Sequence, residues 1–465
     1  MEPVTFVDRA SRRLGTYAAE ANRRGAERLS ELREEAAADY APLDAMRDRA
    51  RAVRLHTLAN LDRYLSRFAD EVEARGGKVF FASDAAEAVE YVRALADRHQ
   101  AELIIKSKSM VSEEIALNDA LEADGRRVVE TDLGEFIIQL AGERPSHIIA
   151  PAIHLSAADI GRLFEDRLSV PYTDDAGRLN TIARHHLRRE FLAADMGISG
   201  VNFGVAESGT ICTVTNEGNG RLTTTAPRVH VALMGMERVV PTSADLAHML
   251  EVLARSATGQ RLSVYTNMVT GARRPGDPDG PDELHVVVLD NGRSRALGDS
   301  TAEILACIRC GACLNVCPVY RAVGGHSYGS VYTGPIGAVI TPVLDGLGPW
   351  GDLPYASTLC GACRDVCPVR IDIPRVLLEL RRRSMDGGHA YAWVRPGLTA
   401  YAAAATRPWL WRLVLGAAGV VGRLVGRDRV IGRLPFHAAG WTRHRTIRAP
   451  AAESFHAWWR RNRGA

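Results

Sequence analysis

Seven of the eight cysteines fall between Cys307 and Cys367, and their spacing constrains the chain more than any other feature. The first run, Cys307-Ile-Arg-Cys310-Gly-Ala-Cys313-Leu-Asn-Val-Cys317-Pro318, has the C-x2-C-x2-C-x3-C-P form that holds iron–sulfur clusters. Three thiolates in one tight turn wrap a corner of a cubane. Gly311 and Ala312 leave room for backbone N–H groups near the sulfides. Three residues of helix then turn Cys317 toward a second cluster, and Pro318 redirects the chain. The second run, Cys360-Gly-Ala-Cys363-Arg-Asp-Val-Cys367-Pro368, repeats the last three cysteines and the proline, with Ser357 where a first Cys would fall. If the fourth ligand of each run crosses to the other cluster, cluster one takes Cys307, Cys310, Cys313 and Cys367. Cluster two takes Cys317, Cys360 and Cys363. One of its corners is then absent, as in a 3Fe–4S cluster, or held by Ser357, water or another residue. The spacing thus predicts two 4Fe–4S clusters, the second with three Cys ligands and 3Fe–4S as its alternative. Structural zinc favours two separated C-x2-C pairs and needs no exchange between runs.

A chain of 465 residues is long for one domain, so two or three are expected. Hydrophobic residues at 46% and charged residues at 24% exclude wholesale disorder, a collagen-like repeat and an integral membrane protein. A net charge of +3 gives no case for nucleic acid. The amino-terminal stretch MEPVTFVDRASRRLGTYAAE lacks a signal-peptide core, and clustered cysteines in a large chain argue against a disulfide scaffold. A reducing cytoplasm is expected, where such a cluster means metal.

Four parts are expected: a helical segment (1–75), an α/β domain (76–295), a small α-helical two-cluster domain (296–386) and a basic, aromatic tail (387–465). In the first, Leu58, Leu61, Leu65 and Phe68 give an amphipathic helix over Leu55–Val72, lying on something else. In the second, strands at Lys78–Ala82, Leu103–Lys106, Arg127–Thr131, His147–Pro151, Gly209–Thr215, Val229–Met234, Leu262–Tyr265 and Leu284–Leu289 alternate with helices. The helices are read at Ala85–Arg98, Ser112–Ala123, Ala157–Arg167, Ile182–Met196 and Ala244–Arg255. That alternation implies a mostly parallel sheet covered on both faces. The spacer Val319–Leu359 is too long for a compact two-cluster ferredoxin, and helix formers flank both Cys runs. His326 in it is either a cluster neighbour or a loop His bonding backbone. From Arg395 the tail carries thirteen Arg against two acids, Asp428 and Glu453. Arg412 and Arg423 cut its apolar run Leu413–Gly422 short of the ~18 residues of a span. Contact with an anionic membrane surface or an acidic partner is expected instead.

With both Cys runs in place, the chain resembles the lactate utilisation protein B family. The resemblance is carried by Lys106-Ser-Lys-Ser-Met110, Glu130-Thr-Asp-Leu-Gly-Glu135, Pro145-Ser-His-Ile-Ile-Ala-Pro-Ala-Ile-His154, Gly197-Ile-Ser-Gly-Val-Asn202, Ala206-Glu-Ser-Gly-Thr210, Thr215-Asn-Glu-Gly218 and Gly334-Pro-Ile-Gly337. It spans roughly residues 55 to 385. The Cys part alone also resembles the iron–sulfur subunits of succinate dehydrogenase and anaerobic glycerol-3-phosphate dehydrogenase. The resemblance implies a LUD domain, with a fold like the sugar-phosphate isomerase and CoA-transferase superfamily, followed by a helical ferredoxin domain. It further implies seven Cys ligands and an electron-carrying role in oxidising L-lactate to pyruvate. The partners it implies are a Cys-rich iron–sulfur protein and a second LUD protein. From the missing signal-peptide core, the clustered cysteines and the basic tail, the expected location is the cytoplasm or the inner face of its membrane.

Within the α/β part, Lys106, Ser107, Lys108 and Ser109 end a strand just before the helix carrying Glu113 and Glu114. Such a turn is an anion site for lactate, phosphate or another carboxylate, or else a solvated loop capped by Ser109. Glu207, in Glu207-Ser-Gly-Thr210, resembles the nucleophilic carboxylate of CoA transferases. Acyl or CoA transfer is therefore the alternative function, with a binding scaffold as the third. Asn202, Glu207, Thr210, Asn216 and Glu217 are the candidate pocket residues, and Cys212 reads as a buried small side chain. No G-x-G-x-x-G opens a helix, so no bound dinucleotide is expected.

Overall fold

The computed structural model describes residues 5–390, 394–425, 430–442, 445–451 and 454–463. Asp428, Glu453 and the first four residues of the amino-terminal stretch lie outside the described residues. The chain forms two compact units, Met1–His389 and Ala390–Ala465.

The first unit opens with helices α1 (Phe6–Arg13), α2 (Tyr17–Ala38), α3 (Leu43–Ala59) and α4 (Leu61–Glu73). The helix expected over Leu55–Val72 breaks at Asn60, whose backbone leaves the helical region and whose Nδ2 donates to His56 O. Leu61, Leu65, Phe68 and Val72 form the buried face of α4. Ten strands follow: β1 (Lys78–Ala82), β2 (Leu103–Lys106), β3 (Arg127–Glu130), β4 (Met196–Gly200), β5 (Phe203–Val205), β6 (Thr210–Thr215), β7 (Val229–Gly235), β8 (Val239–Val240), β9 (Tyr265–Val269) and β10 (Glu283–Leu289). Six make a parallel sheet in the order β1-β10-β7-β4-β2-β3. The other four make a smaller sheet in the order β8-β5-β6-β9, antiparallel except where β5 meets β8.

A parallel sheet covered on both faces needs strands that are apolar on both faces. In β7 every residue is buried. In β10, Val287 and Leu289 pack with Ala88, Val92 and Leu95 of the helix Ala85–Arg98. Val286 and Val288 face the other way, onto Leu65, Phe68 and Val72 of α4. The period of two thus feeds two cores.

Several elements differ from the expectation. His147–Pro151 forms no strand, because the His147 ring takes its place as a partner: Ile149 N and Ala150 N donate to Nδ1 at 3.1 and 3.2 Å. The helix expected over Ile182–Met196 runs from Ala176 to Ala193, and Met196 begins β4. The Gly-rich stretch that follows lies mostly in β4 and β5. A Cβ on Gly197 would meet Thr223 O at 2.0 Å, so glycine serves close backbone approach there. The helix expected over Ser112–Ala123 is two, Met110–Glu114 and Leu117–Ala123, broken where Ala116 turns left-handed at φ 50°. The strand expected over Leu262–Tyr265 lies later, as β9.

The Cys-bearing segment is helical, including Pro318–Val323, the almost wholly buried Gly334–Asp345, and Ile373–Asp386. It is tied to the sheet by Arg54 of α3, which is fully buried. Arg54 donates to Leu305 O at 3.1 Å, Ala306 O at 3.3 Å and Val239 O at 2.9 Å, and also to Glu237 O.

The second unit holds helices Val394–Ala405, Pro408–Val425 and Phe455–Asn462, with a two-residue ladder pairing Val430–Ile431 and Ile447–Arg448. Trp409, Leu413, Leu424, Phe455, Trp458 and Trp459 are exposed. Among the described residues, no helix is long and apolar enough to cross a membrane.

Candidate metal centre

The two Cys runs fold as two copies of one loop. Arg309 and Leu359, each the residue before the first Cys-Gly pair, are left-handed at φ 59° and 56°. Gly311 and Gly361 follow at φ 75° and 89°, a region glycine tolerates, and each starts a one-turn helix, Ala312–Asn315 or Ala362–Asp365. The copies also share a polar contact. Arg309 N donates to Cys307 Sγ at 3.4 Å, and Leu359 N donates to Ser357 Oγ at 3.1 Å. Ser357 thus stands in its loop where Cys307 stands in the other, with a hydroxyl for a thiol.

Cys307, Cys310, Cys313 and Cys367 line one small cavity, closed by Ile308, Ile336, Val369, Ile371 and Ile373. Cys317 lies with Cys360 and Cys363 in a second group. All seven are free thiols, and only Cys360 among them is exposed. Burial, with repulsion from Cys317 and Cys360, pushes the Cys363 thiol up to about 12. Burial also raises Cys367 to about 11, with Cys307 adding to it and the Ile371 N–H, 3.3 Å from its Sγ, opposing it. Thiols so crowded stay protonated unless a metal ion takes the place of the protons. The donor set, the enclosed space and the N–H groups aimed at sulfur all fit an iron–sulfur cluster.

A buried ion network carries the first loop. Glu237 pairs with Arg293 at 2.7 Å, Arg309 at 3.5 Å and Arg238 at 3.7 Å. Burial alone would raise its carboxyl, but those three guanidinium groups hold it at about 2. Arg293 also pairs with Glu114 at 2.8 Å, and Tyr332 OH donates to Glu114 at 2.5 Å. The Arg309 guanidinium lies 4.8 Å from the Tyr332 ring centroid, and Arg238 Nη1 donates to Cys307 O at 3.3 Å.

A cavity of about 590 Å³ opens at the C-terminal ends of β2, β3 and β4, where open α/β sheets bind ligands. Its wall includes Ser107, Lys108, Asn202, Asn216 and Glu217, together with Arg238 and Arg309. Lys106 is not in that wall. It is 1% exposed and ion-paired to Glu113 at 2.6 Å and Glu130 at 2.7 Å. Ser109 caps the helix Met110–Glu114, and Glu114 belongs to the buried network. Glu207 and Thr210 also lie outside the cavity. Glu207 Oε1 accepts from Ser243 N at 2.6 Å, in front of the helix Ser243–Thr258, and Thr210 Oγ1 meets Thr270 Oγ1 at 2.7 Å. Asn202 Oδ1 accepts from Val214 N, and Asn216 Nδ2 donates to Gln260 Oε1. Cys212 is fully buried in β6. His326 donates from Nε2 to Arg144 O at 2.6 Å, the second of its two expected roles. Sequence reasoning missed Arg238 and Arg309. Arg309 was findable as the one charged residue inside the C-x2-C spacings of the first run, whereas Arg238 carried no signal.

Residues 65–289 match the LUD domain family, 303–371 the 4Fe-4S dicluster domain family, and 388–463 the family described as lactate utilisation protein B, C-terminal. The tail is therefore part of the resemblance, which the motifs alone had carried only to about residue 385. Proteins named lactate utilization protein B are similar over nearly the whole chain. The one from Bacillus licheniformis is 45% identical over 434 residues, 93% of this chain and 91% of that one. The one from Macrococcus caseolyticus is 45% identical over 436 residues, with 93% and 91% covered. For Geobacillus kaustophilus the figures are 46% over 414 residues, 89% and 87%. A solved DUF162 family protein from Deinococcus radiodurans covers 49% of this chain and 98% of its own at 14% identity and a TM-score of 0.28, too low to carry weight. An α/β LUD domain, a helical 4Fe–4S domain and the matching carboxy-terminal region, in that order, place the chain in the lactate utilization protein B family.

Proposed function

We propose that this protein is the iron–sulfur electron-transfer subunit of a system that oxidises L-lactate to pyruvate and so allows lactate utilization. In this reading it works in the cytoplasm, or against the inner face of its membrane, beside a Cys-rich iron–sulfur partner and a second LUD protein. The observation that supports it best is the crossed grouping of thiols. Cys367 of the second run joins Cys307, Cys310 and Cys313, while Cys317 of the first run lies with Cys360 and Cys363. Two adjacent sets of this kind suit a pair of clusters in series, and a structural metal needs no such exchange. When bound, clusters supply carriers that take up and release one electron at a time. Removing hydride from the lactate carbon requires a two-electron acceptor such as a flavin or nicotinamide, which belongs to another subunit. In this reading the chain's residues shield the first carrier from water, leave the second open at Cys360, and offer Ser357 Oγ as the fourth donor of the second set.

The acyl-transfer alternative loses support from the position of Glu207. Its carboxylate is engaged with a helix amino terminus outside the cavity, and hydrogen bonds from Ser243 hold it below the usual carboxylate range.

The test is anaerobic reconstitution. The isolated chain is expected to bind about seven to eight irons and to leave lactate and an artificial dye unreacted. Added partner subunits should start turnover. Cys310→Ser should stop it while the variant still co-purifies with the complex. Lactate oxidation by the isolated chain, or full activity from the variant, refutes the reading.

A further inference from the structure

The 590 Å³ cavity does more than sit beside the sheet: part of its wall is the first Cys loop itself. Arg309 lies between Cys307 and Cys310 and lines both this cavity and the small thiol-lined one. Its guanidinium is 4% exposed, and its Nε and Nη1 have no hydrogen-bond partner among the described residues. Lys108 Nζ, ion-paired with Glu135 at 3.7 Å, and Ser107 Oγ are buried in the same wall and likewise have no hydrogen-bond partner among the described residues. A buried donor left without a partner is costly, of order 1–3 kcal/mol and more for a charged group. Three such side chains around one space call for an acceptor there. The wall also offers apolar surface, with Ile149, Ile153, Val214 and Leu253. The volume falls in the range of organic-ligand sites, roughly 300–1,000 Å³.

We propose that this cavity binds an organic anion whose carboxylate or phosphate oxygens lie against Lys108, Ser107 and Arg309, with its uncharged body along Ile149 and Leu253. The anion is thereby held against the loop that carries Cys307 and Cys310. This proposal rests on the reading above only in treating that loop as the seat of a cluster. Arg238, which donates to Cys307 O, adds a third positive charge to the same wall. Two acids stand in that wall, Asp132 and Glu217, and Glu135 lies beside Lys108. Burial, with Asp132 adding to it, pushes Glu217 up to about 7, and burial against the pull of Lys108 leaves Glu135 at about 8. Both carboxyls thus lie above the usual carboxylate range, which lessens the negative charge set against Lys108, Arg309 and Arg238.

The test uses the full, iron-loaded chain without partners. Pyruvate, L-lactate and inorganic phosphate are titrated separately by calorimetry, and the reduced protein's EPR spectrum is recorded with and without each. At least one probe is expected to bind and to shift the cluster signal. A carboxylate that binds while phosphate does not assigns the head as carboxylate, and the reverse assigns it as phosphate. Lys108→Met should weaken binding by about tenfold or more. Ala257→Phe, which fills the cavity from the helix Ser243–Thr258, should abolish it at unchanged iron content and circular dichroism. If no probe binds the folded, iron-loaded chain, or if Ala257→Phe binds as well as the parent, the proposal fails. Loss of turnover with partners, by contrast, would count against the electron-transfer reading and leave this binding untouched.

Discussion

Replacing Arg54 with methionine probes how the amino-terminal helices hold the first Cys loop. Arg54 reaches from α3 to four backbone carbonyls: Val239 and Glu237 on the sheet side, and Leu305 and Ala306 immediately before Cys307. A hydrogen bond from a charged donor contributes about 1.5–3 kcal/mol, so four sum to about 6–12 kcal/mol. Against this stands the cost of burying a guanidinium, several kcal/mol, which methionine avoids. The difference leaves a net loss of about 3–5 kcal/mol, comparable to breaking a buried ion pair. Total stabilities run at about 5–15 kcal/mol, so the variant should fold but be markedly weakened. The assay is anaerobic urea titration of the iron-loaded protein, read both by the visible absorption of the clusters and by circular dichroism. Arg54→Met should lower both midpoints, and cluster loss should precede unfolding, because two of the freed carbonyls adjoin Cys307. Coincident midpoints within error of the parent would show that Arg54 carries no net load and that the reasoning is wrong.

Ser357→Ala should make the second cluster lose iron in air faster and give a three-iron EPR signal, while Ser357→Cys should suppress that signal; identical air stability of all three proteins refutes the role given to Ser357. Burial, with Asp132 adding to it and the Leu133 N–H and Lys108 opposing, raises the folded pKa of Glu217 from the ordinary 4.5 to about 7. Its stabilising contribution is present below pH ~4.5 and is lost as pH rises through about 7. Glu217→Gln should therefore gain about 2 kcal/mol over the parent at pH 8 and nothing near pH 4.5, measured by denaturant titration at both. Deleting residues 397–465 should abolish co-sedimentation with the partner subunits or with anionic vesicles, and unchanged partitioning refutes a docking role for the tail.

Much of this architecture was legible because its signals are local. The Cys runs fix their own loops, since every turn, glycine and proline lies within the run. The strands of the parallel sheet showed as apolar runs because both faces are covered, as β7 and β10 illustrate. What failed to show depends on residues far apart in sequence. His147–Pro151 has the composition of a strand, but the buried His147 ring, bonded to Asn315 at 2.8 Å, fixes it as a turn. Glycine at 197 is required by the backbone of Thr223, which no local pattern shows. The cavity was half legible: Lys108, Asn202, Asn216 and Glu217 lie on it, and Lys106, Glu207 and Thr210 do not. Lys106 and Lys108 are two residues apart at the end of one strand, and no pattern tells which finds two carboxylates inside the core.

The uneven exposure of the cysteines gives the molecule an inner and an outer terminal. The thiols grouped around Cys310 sit behind isoleucine and valine, whereas Cys360 opens to water. Burial and solvent access are two of the levers that set iron–sulfur potentials, so chemically similar centres in these places need not share one. A redox partner can approach the outer terminal closely, and so can dioxygen. A partner that docked over Cys360 would act as contact and stopper at once, and the chain on its own would then be the form most easily damaged by air.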